Sequence, residues 1–228
     1  VEAENLGSPA PLTAAGTVVF AYVSVGEAEG WRASTRALSS ELFCGANSAW
    51  GSRVADMTNP GWTYFLIETR MAGLWQQGYR AFFLDTLDSY QLTSPDALAR
   101  QRQQRALIGL IEAVHRRFPG VQLILNRGFE LLPAVSQLVV GVAAESLFQS
   151  WDPTARKYTT VDEPSRQWLL ERLREVQQRF ALPVTVIDYV AIGNPSLARA
   201  TAQRIGEAGF TAWVATPQLD TIGEANLP

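Results

Sequence analysis

Cysteine, histidine and lysine are nearly absent from this 228-residue chain, which holds one of each: Cys44, His115 and Lys157. A single cysteine excludes an internal disulfide and any zinc cluster built on cysteines. Cys44 follows Leu42-Phe43 and reads as a packed residue rather than a nucleophile. His115 precedes Arg116-Arg117 on an expected helix, a surface position, and no GxSxG elbow exists, so a Ser-His-Asp triad has no seat. No apolar run reaches the roughly 20 residues of a membrane span, and no signal peptide is visible, so no membrane insertion is expected. No GxGxxG or GxxxxGK[ST] loop follows any strand, which argues against a nucleotide. No basic run is interleaved with aromatics, which argues against nucleic acid. Zinc lacks ligands, and no cofactor is expected.

The remaining composition is that of a folded domain. Hydrophobic residues make up 47% and charged residues 18%, enough to bury a full core. The formal net charge is −3. Gly and Pro are dispersed, so no linker stands out and residues 1–228 read as one domain. The chain opens at Val1-Glu2-Ala3-Glu4 without methionine and reads as a processed or excised fragment.

Apolar runs rich in β-branched and aromatic residues alternate with helical stretches. Strands are expected at Thr17–Val25, Arg53–Met57, Arg80–Leu84, Val121–Leu125, Val139–Ala144, Pro183–Ile187 and Thr211–Ala215. Helices are expected at Trp62–Gln77, Ala97–Phe118, Leu131–Gln137, Ser165–Phe180 and Pro195–Ala208. This alternation predicts an α/β fold with parallel strands, either an open sheet or a TIM-type (β/α)8 barrel. For a barrel one strand is lacking, so the first strand reads as truncated or incomplete, with Val1 as its tail.

In a barrel the site lies at the C-terminal ends of the strands. Acids or amides stand there after nearly every apolar run: Glu27 and Glu29, Asp56, Asp85 and Asp88, Asn126, Glu145, Asp188, and Asp220. Any one of them, taken alone, is equally well accounted for as a helix cap or an ion-pair member. Asp85 and Glu145 are sharper, because each directly abuts an apolar run where ionisation is costly without a partner. Two converging carboxylates are what glycoside hydrolysis needs, one to protonate the leaving oxygen and one to attack or to activate water. Tyr22, Trp31, Tyr90, Trp151 and Tyr189 lie near the same ends and suit stacking on sugar rings or packing of loops. Trp75, Trp168 and Trp213 read as core. A carboxylate-held Mg²⁺ at Asp85, Asp88 and Glu145 is the competing chemistry, in an enzyme acting on a phosphorylated metabolite.

The segments AYVSVGEAEGWR (Ala21 to Arg32), DMTNPGW (Asp56 to Trp62) and FFLDTLDSY (Phe82 to Tyr90), with the strand ending at Glu145, resemble the endo-α-1,4-polygalactosaminidase family. The resemblance spans nearly the whole chain. It implies a TIM-type barrel and endo-hydrolysis of an α-1,4-linked, partly N-acetylated galactosamine polymer, a cationic Pel-like component of biofilm matrix. It implies retention of configuration, with Asp85 as nucleophile, Asp88 as the competing position, and Glu145 as acid/base. It gives the acidic strand ends a purpose: Glu27, Asp88, Asp188 and Asp220 are expected to meet sugar ammonium groups. Tyr22, Asn126 and Tyr189 are expected to hydrogen-bond around the reacting sugar, with Tyr90 beside them. A periplasmic or secreted setting, and a place in a larger multidomain exopolysaccharide-modifying protein, follow from the same resemblance. The rival reading is a non-catalytic barrel that binds a cationic polysaccharide through its acidic groove.

Overall fold

A computed structural model describes residues 1–94, 96–220 and 222–226. The chain divides into two compact units, Val1–Val140 and Gly141–Pro228.

In the first unit the strands are β1 (Phe20–Ser24), β2 (Glu27–Glu29), β3 (Phe43–Asn47), β4 (Ser52–Ala55), β5 (Ala81–Asp85) and β6 (Gln122–Asn126). Strands β1, β5 and β6 form a parallel sheet in that order. Period-2 alternation sets its two faces. Ala21 and Val23, Phe82 and Leu84, and Leu123 and Leu125 are buried on one face. Tyr22, Phe83 and Ile124 align in register on the other, with the Tyr22 and Phe83 rings stacked at 6.4 Å. The same alternation carries Ser24, Asp85 and Asn126 onto that second face at the strand ends. Val1 lies against β1: the Val1 ammonium donates to the Phe20 carbonyl, and the Tyr22 N–H donates to the Val1 carbonyl.

The helix Ala97–Arg117 starts where the Asp96 carboxylate accepts the Leu98 N–H at 2.7 Å, and it carries His115, Arg116 and Arg117 in its last turn. Its buried residues Gln103, Leu107, Leu110, Ile111 and Val114 form one stripe. The helical stretch from Pro60 to Gln76 is α-helical at both ends and π-helical over Phe65–Met71. It brings in Trp62, fully buried, whose indole N–H donates to the Val25 carbonyl at 2.8 Å. Burying a ring of this size with its N–H satisfied contributes on the order of 3 kcal/mol beneath the end of β1.

One expected strand changes partners. The Arg53–Met57 run forms β4, but β4 is the centre of an antiparallel sheet β2-β4-β3 and takes no part in the parallel one. Cys44, expected to be packed, is exposed on β3.

In the second unit the strands are β7 (Gly141–Glu145), β8 (Gln149–Asp152), β9 (Lys157–Thr160), β10 (Val184–Tyr189), β11 (Thr211–Ala215) and β12 (Glu224–Ala225). Strands β7, β10 and β11 pair in parallel, with β12 antiparallel at the edge of β11. β8 and β9 make a hairpin pinned by a Trp151–Tyr158 edge contact at 4.9 Å. Helix Glu163–Phe180 is capped by Asp162, and helix Pro195–Glu207 by Asn194. Trp168, expected in the core, is half exposed on the first of these helices. Parallel strands alternating with helices in both units are what the TIM-type α/β class requires. Among the described residues no helix is long and apolar enough to cross a membrane.

Candidate active site

Asp85 is the last residue of β5, and its carboxylate is gripped from both neighbouring strands. The Tyr22 hydroxyl of β1 donates to Oδ2 at 2.7 Å, and the Asn126 amide of β6 donates to Oδ1 at 2.7 Å. Burial raises the Asp85 pKa, while the bonds from Tyr22, the Thr86 backbone and Asn126 act in the opposite direction. Burial also raises the Tyr22 pKa, reinforced by the adjacent Asp85 charge, so this phenol remains a donor. The Tyr22 ring lies 5.6 Å from the Arg32 guanidinium. Arg32 is itself buried and is held by Glu29 at 2.8 Å and Glu2 at 2.5 Å.

The turn after Asp85 is tightly built. Thr86 sits at φ 61°, a conformation that costs a β-branched residue on the order of 1–3 kcal/mol. Its hydroxyl offsets that cost with three bonds: it donates to the Asp85 carbonyl at 2.6 Å, accepts the Gly26 N–H at 2.8 Å, and lies 3.1 Å from the Ser24 hydroxyl. A Cβ on Gly26 would stand 2.1 Å from the Thr86 carbonyl oxygen, so only glycine fits in the SVGE segment.

Asp88 is half buried three residues on and leads into the short turn Ser89–Leu92. Tyr90 is buried, and burial raises its pKa. Glu27 is only 5% exposed. Its carboxylate accepts bonds from Asn47 at 2.9 Å, from Ser89 at 2.6 Å and from Ser52. It ties the small antiparallel sheet to the β5 turn, and is not open to a sugar ammonium as its position in sequence suggested.

In the second unit Glu145 ends β7. The Tyr189 hydroxyl, two positions beyond Glu145's register partner Ile187, donates to Glu145 Oε2 at 2.5 Å. Asp188, the preceding residue, points to the opposite face and has no exposed surface. It accepts three backbone N–H groups, from Leu147 at 2.6 Å and from Phe148 and Gln149 at 2.7 Å. Burial raises its pKa against the pull of these three bonds. It too is turned away from the solvent in which a cationic sugar would approach. Asp220 is exposed in the tail after β11.

Tyr22 and Asn126 thus gather on Asp85, and Tyr189 on Glu145. Arg32 and Thr86 support the first group, and neither is among the residues that the sequence singles out. The signal for Thr86 was its place directly after a strand-end acid. Arg32 carried no signal beyond lying in a segment of family resemblance. Among the described residues no cluster of three or more His, Cys, Asp or Glu side chains stands ready to hold a metal ion.

The model of glycoside-hydrolase family GH114 matches residues 2–226. The glycoside hydrolase domain of PelA from Pseudomonas aeruginosa superposes with a TM-score of 0.90 at 38% identity, covering 100% of this chain and 90% of that one. A variant of that domain with one glutamate replaced by alanine superposes at 0.87 and 36%, with the same coverage. Aspergillus fumigatus Ega3, in complex with galactosamine, shares the fold at a TM-score of 0.69 and 17% identity, covering 95% of this chain and 81% of that one. No curated protein matches.

Proposed function

Because the chain belongs to glycoside-hydrolase family GH114, we propose that it cleaves internal bonds of an α-1,4-linked, partly N-acetylated galactosamine exopolysaccharide, with retention of configuration. Asp85 is the nucleophile. It attacks the anomeric carbon, and the glycosidic C–O bond breaks as Glu145 delivers its proton to the leaving oxygen. The result is a glycosyl ester on Asp85 and a shortened chain with a free hydroxyl. Water then attacks the same carbon, Glu145 takes its proton, and the Asp85 carboxylate is released.

One observation carries the reading. Each of these carboxylates ends a parallel strand and is held by a tyrosine hydroxyl from the adjacent strand, Tyr22 for Asp85 and Tyr189 for Glu145. Asp85 is preferred to Asp88 because Tyr22 and Asn126 fix both of its oxygens. The galactosamine bound by Ega3 supports an amino-sugar substrate. The setting is periplasmic or secreted, where an exopolysaccharide is met, and the hydrolase domain spans 1–228 within a larger protein, as the PelA domain does.

The test is mass spectrometry of partly deacetylated α-1,4-galactosamine polymer after incubation with wild type, Asp85→Asn and Glu145→Gln. Internal cleavage by wild type is expected. Loss of the acid/base lowers the rate by about 10²–10⁴-fold. Activity that survives Asp85→Asn would move the nucleophile to Asp88. An intact polymer after wild-type treatment would overturn the substrate assignment. The anomer first released, read by NMR, decides between retention and inversion.

A further inference from the structure

Three N–H donors converge on one fully buried carboxylate at Asp188, and they belong to Leu147, Phe148 and Gln149, the main chain just past Glu145. Burying an ionised carboxylate is costly unless its oxygens are satisfied. Here three short charge-assisted bonds satisfy them. An asparagine would offer one acceptor oxygen and turn an NH₂ group toward at least one of these amides. An apolar residue would leave the donors bare. The neighbouring Tyr189 donates to the Glu145 carboxylate itself. Since adjacent strand residues point to opposite faces, this one strand end holds Glu145 in two ways. Tyr189 fixes its carboxylate, and Asp188 fixes the backbone that leaves it. Arg204 stacks on the Phe148 ring at 4.1 Å and braces the same segment.

We propose that Asp188 is a positioning residue for the proton donor: it touches no sugar, and it sets the direction in which the Glu145 carboxyl is presented to the leaving oxygen. The proposal rests on the reading of Glu145 as acid/base.

General acid catalysis matters for a sugar leaving group and little for an activated aryl one. The experiment therefore compares kcat/KM on the galactosamine polymer with kcat/KM on a 2,4-dinitrophenyl glycoside of an α-1,4-galactosamine oligomer. Wild type, Asp188→Asn and Glu145→Gln are compared, with folding checked by circular dichroism. For Asp188→Asn the polymer value is expected to fall about 10–100-fold while the aryl value falls less than about threefold, following the pattern of Glu145→Gln. Equal losses on both substrates, or no loss, with Glu145→Gln still selective, would overturn the role of Asp188 alone. Equal losses in Glu145→Gln would overturn the acid role of Glu145, and this proposal with it. Should Asp188→Asn not fold, Asp188→Glu retains the charge and displaces the carboxylate by one methylene, and the same comparison applies.

Discussion

At Asp85, burial and hydrogen bonding pull the carboxyl in opposite directions. Burial is the larger influence and raises the pKa; the donors favour the ionised form. A carboxyl whose folded pKa is raised contributes its stability fully below the ordinary carboxylate value, and that contribution is lost as pH rises through the folded value. Asp85→Asn is therefore expected to raise the thermal midpoint at neutral pH, with the gain vanishing toward acid pH, while cleavage is lost. Scanning fluorimetry across pH checks both ends. Tyr22→Phe removes a donor that favours the ionised form. With Asp85 as nucleophile, the acid limb of kcat/KM is expected to move to higher pH, and activity on that limb to fall about tenfold, as for loss of a hydrogen bond to a charged group. Asp85 and Glu145 stand out in sequence because each abuts an apolar run, and it is on these two that the proposed chemistry rests. Glu27 and Asp188, expected to meet sugar ammonium groups, are buried and hydrogen-bonded within the protein, a difference that position at a strand end does not encode. Strand alternation separates Asp188 from Tyr189: one faces inward among Val184 and Val186, the other shares a face with Glu145.

Helices make the next scale testable through two glycines that propensity alone would treat alike. Replacing a mid-helix glycine with alanine is worth about 0.5–1 kcal/mol. Gly109, in helix Ala97–Arg117, has nothing within 4 Å of an added Cβ, so Gly109→Ala is expected to stabilise by about that amount. Gly206, in helix Pro195–Glu207, would place its Cβ 2.5 Å from the Asn226 amide nitrogen. That side chain accepts the Ala212 N–H at 2.5 Å and donates to the Phe210 carbonyl at 3.0 Å, closing the start of β11. Displacing it forfeits two bonds at about 1 kcal/mol each, more than propensity returns. Gly206→Ala is therefore expected to lower the denaturation midpoint that Gly109→Ala raises. Long elements with a clear period, such as helix Ala97–Arg117 and strands β5 and β6, were legible. β3 was not, because Phe43–Asn47 contains Gly45 and Ala46 and alternates poorly. With β3 unseen, its antiparallel pairing with β4 was hidden too.

Over the whole molecule, charge is the property that a cationic polymer would sense. The net charge is −3, with acidic residues outnumbering basic ones 22 to 19. Exposed charges attract across about 8 Å in physiological salt and about 3 Å at 1 M. KM for the deacetylated polymer is accordingly expected to rise with sodium chloride while that for the fully acetylated polymer stays level; equal salt response in both would remove the electrostatic account. Fold class was readable at this scale because the alternation of strand and helix is repeated along the chain, whereas the identity of each strand's neighbours depends on long-range pairing that no local pattern encodes. The exposed Cys44 has a practical consequence of another kind. It is the one thiol of residues 1–228 and lies on the edge strand β3, so a single fluorophore attached there to this domain would report on the Val1–Val140 unit with defined stoichiometry.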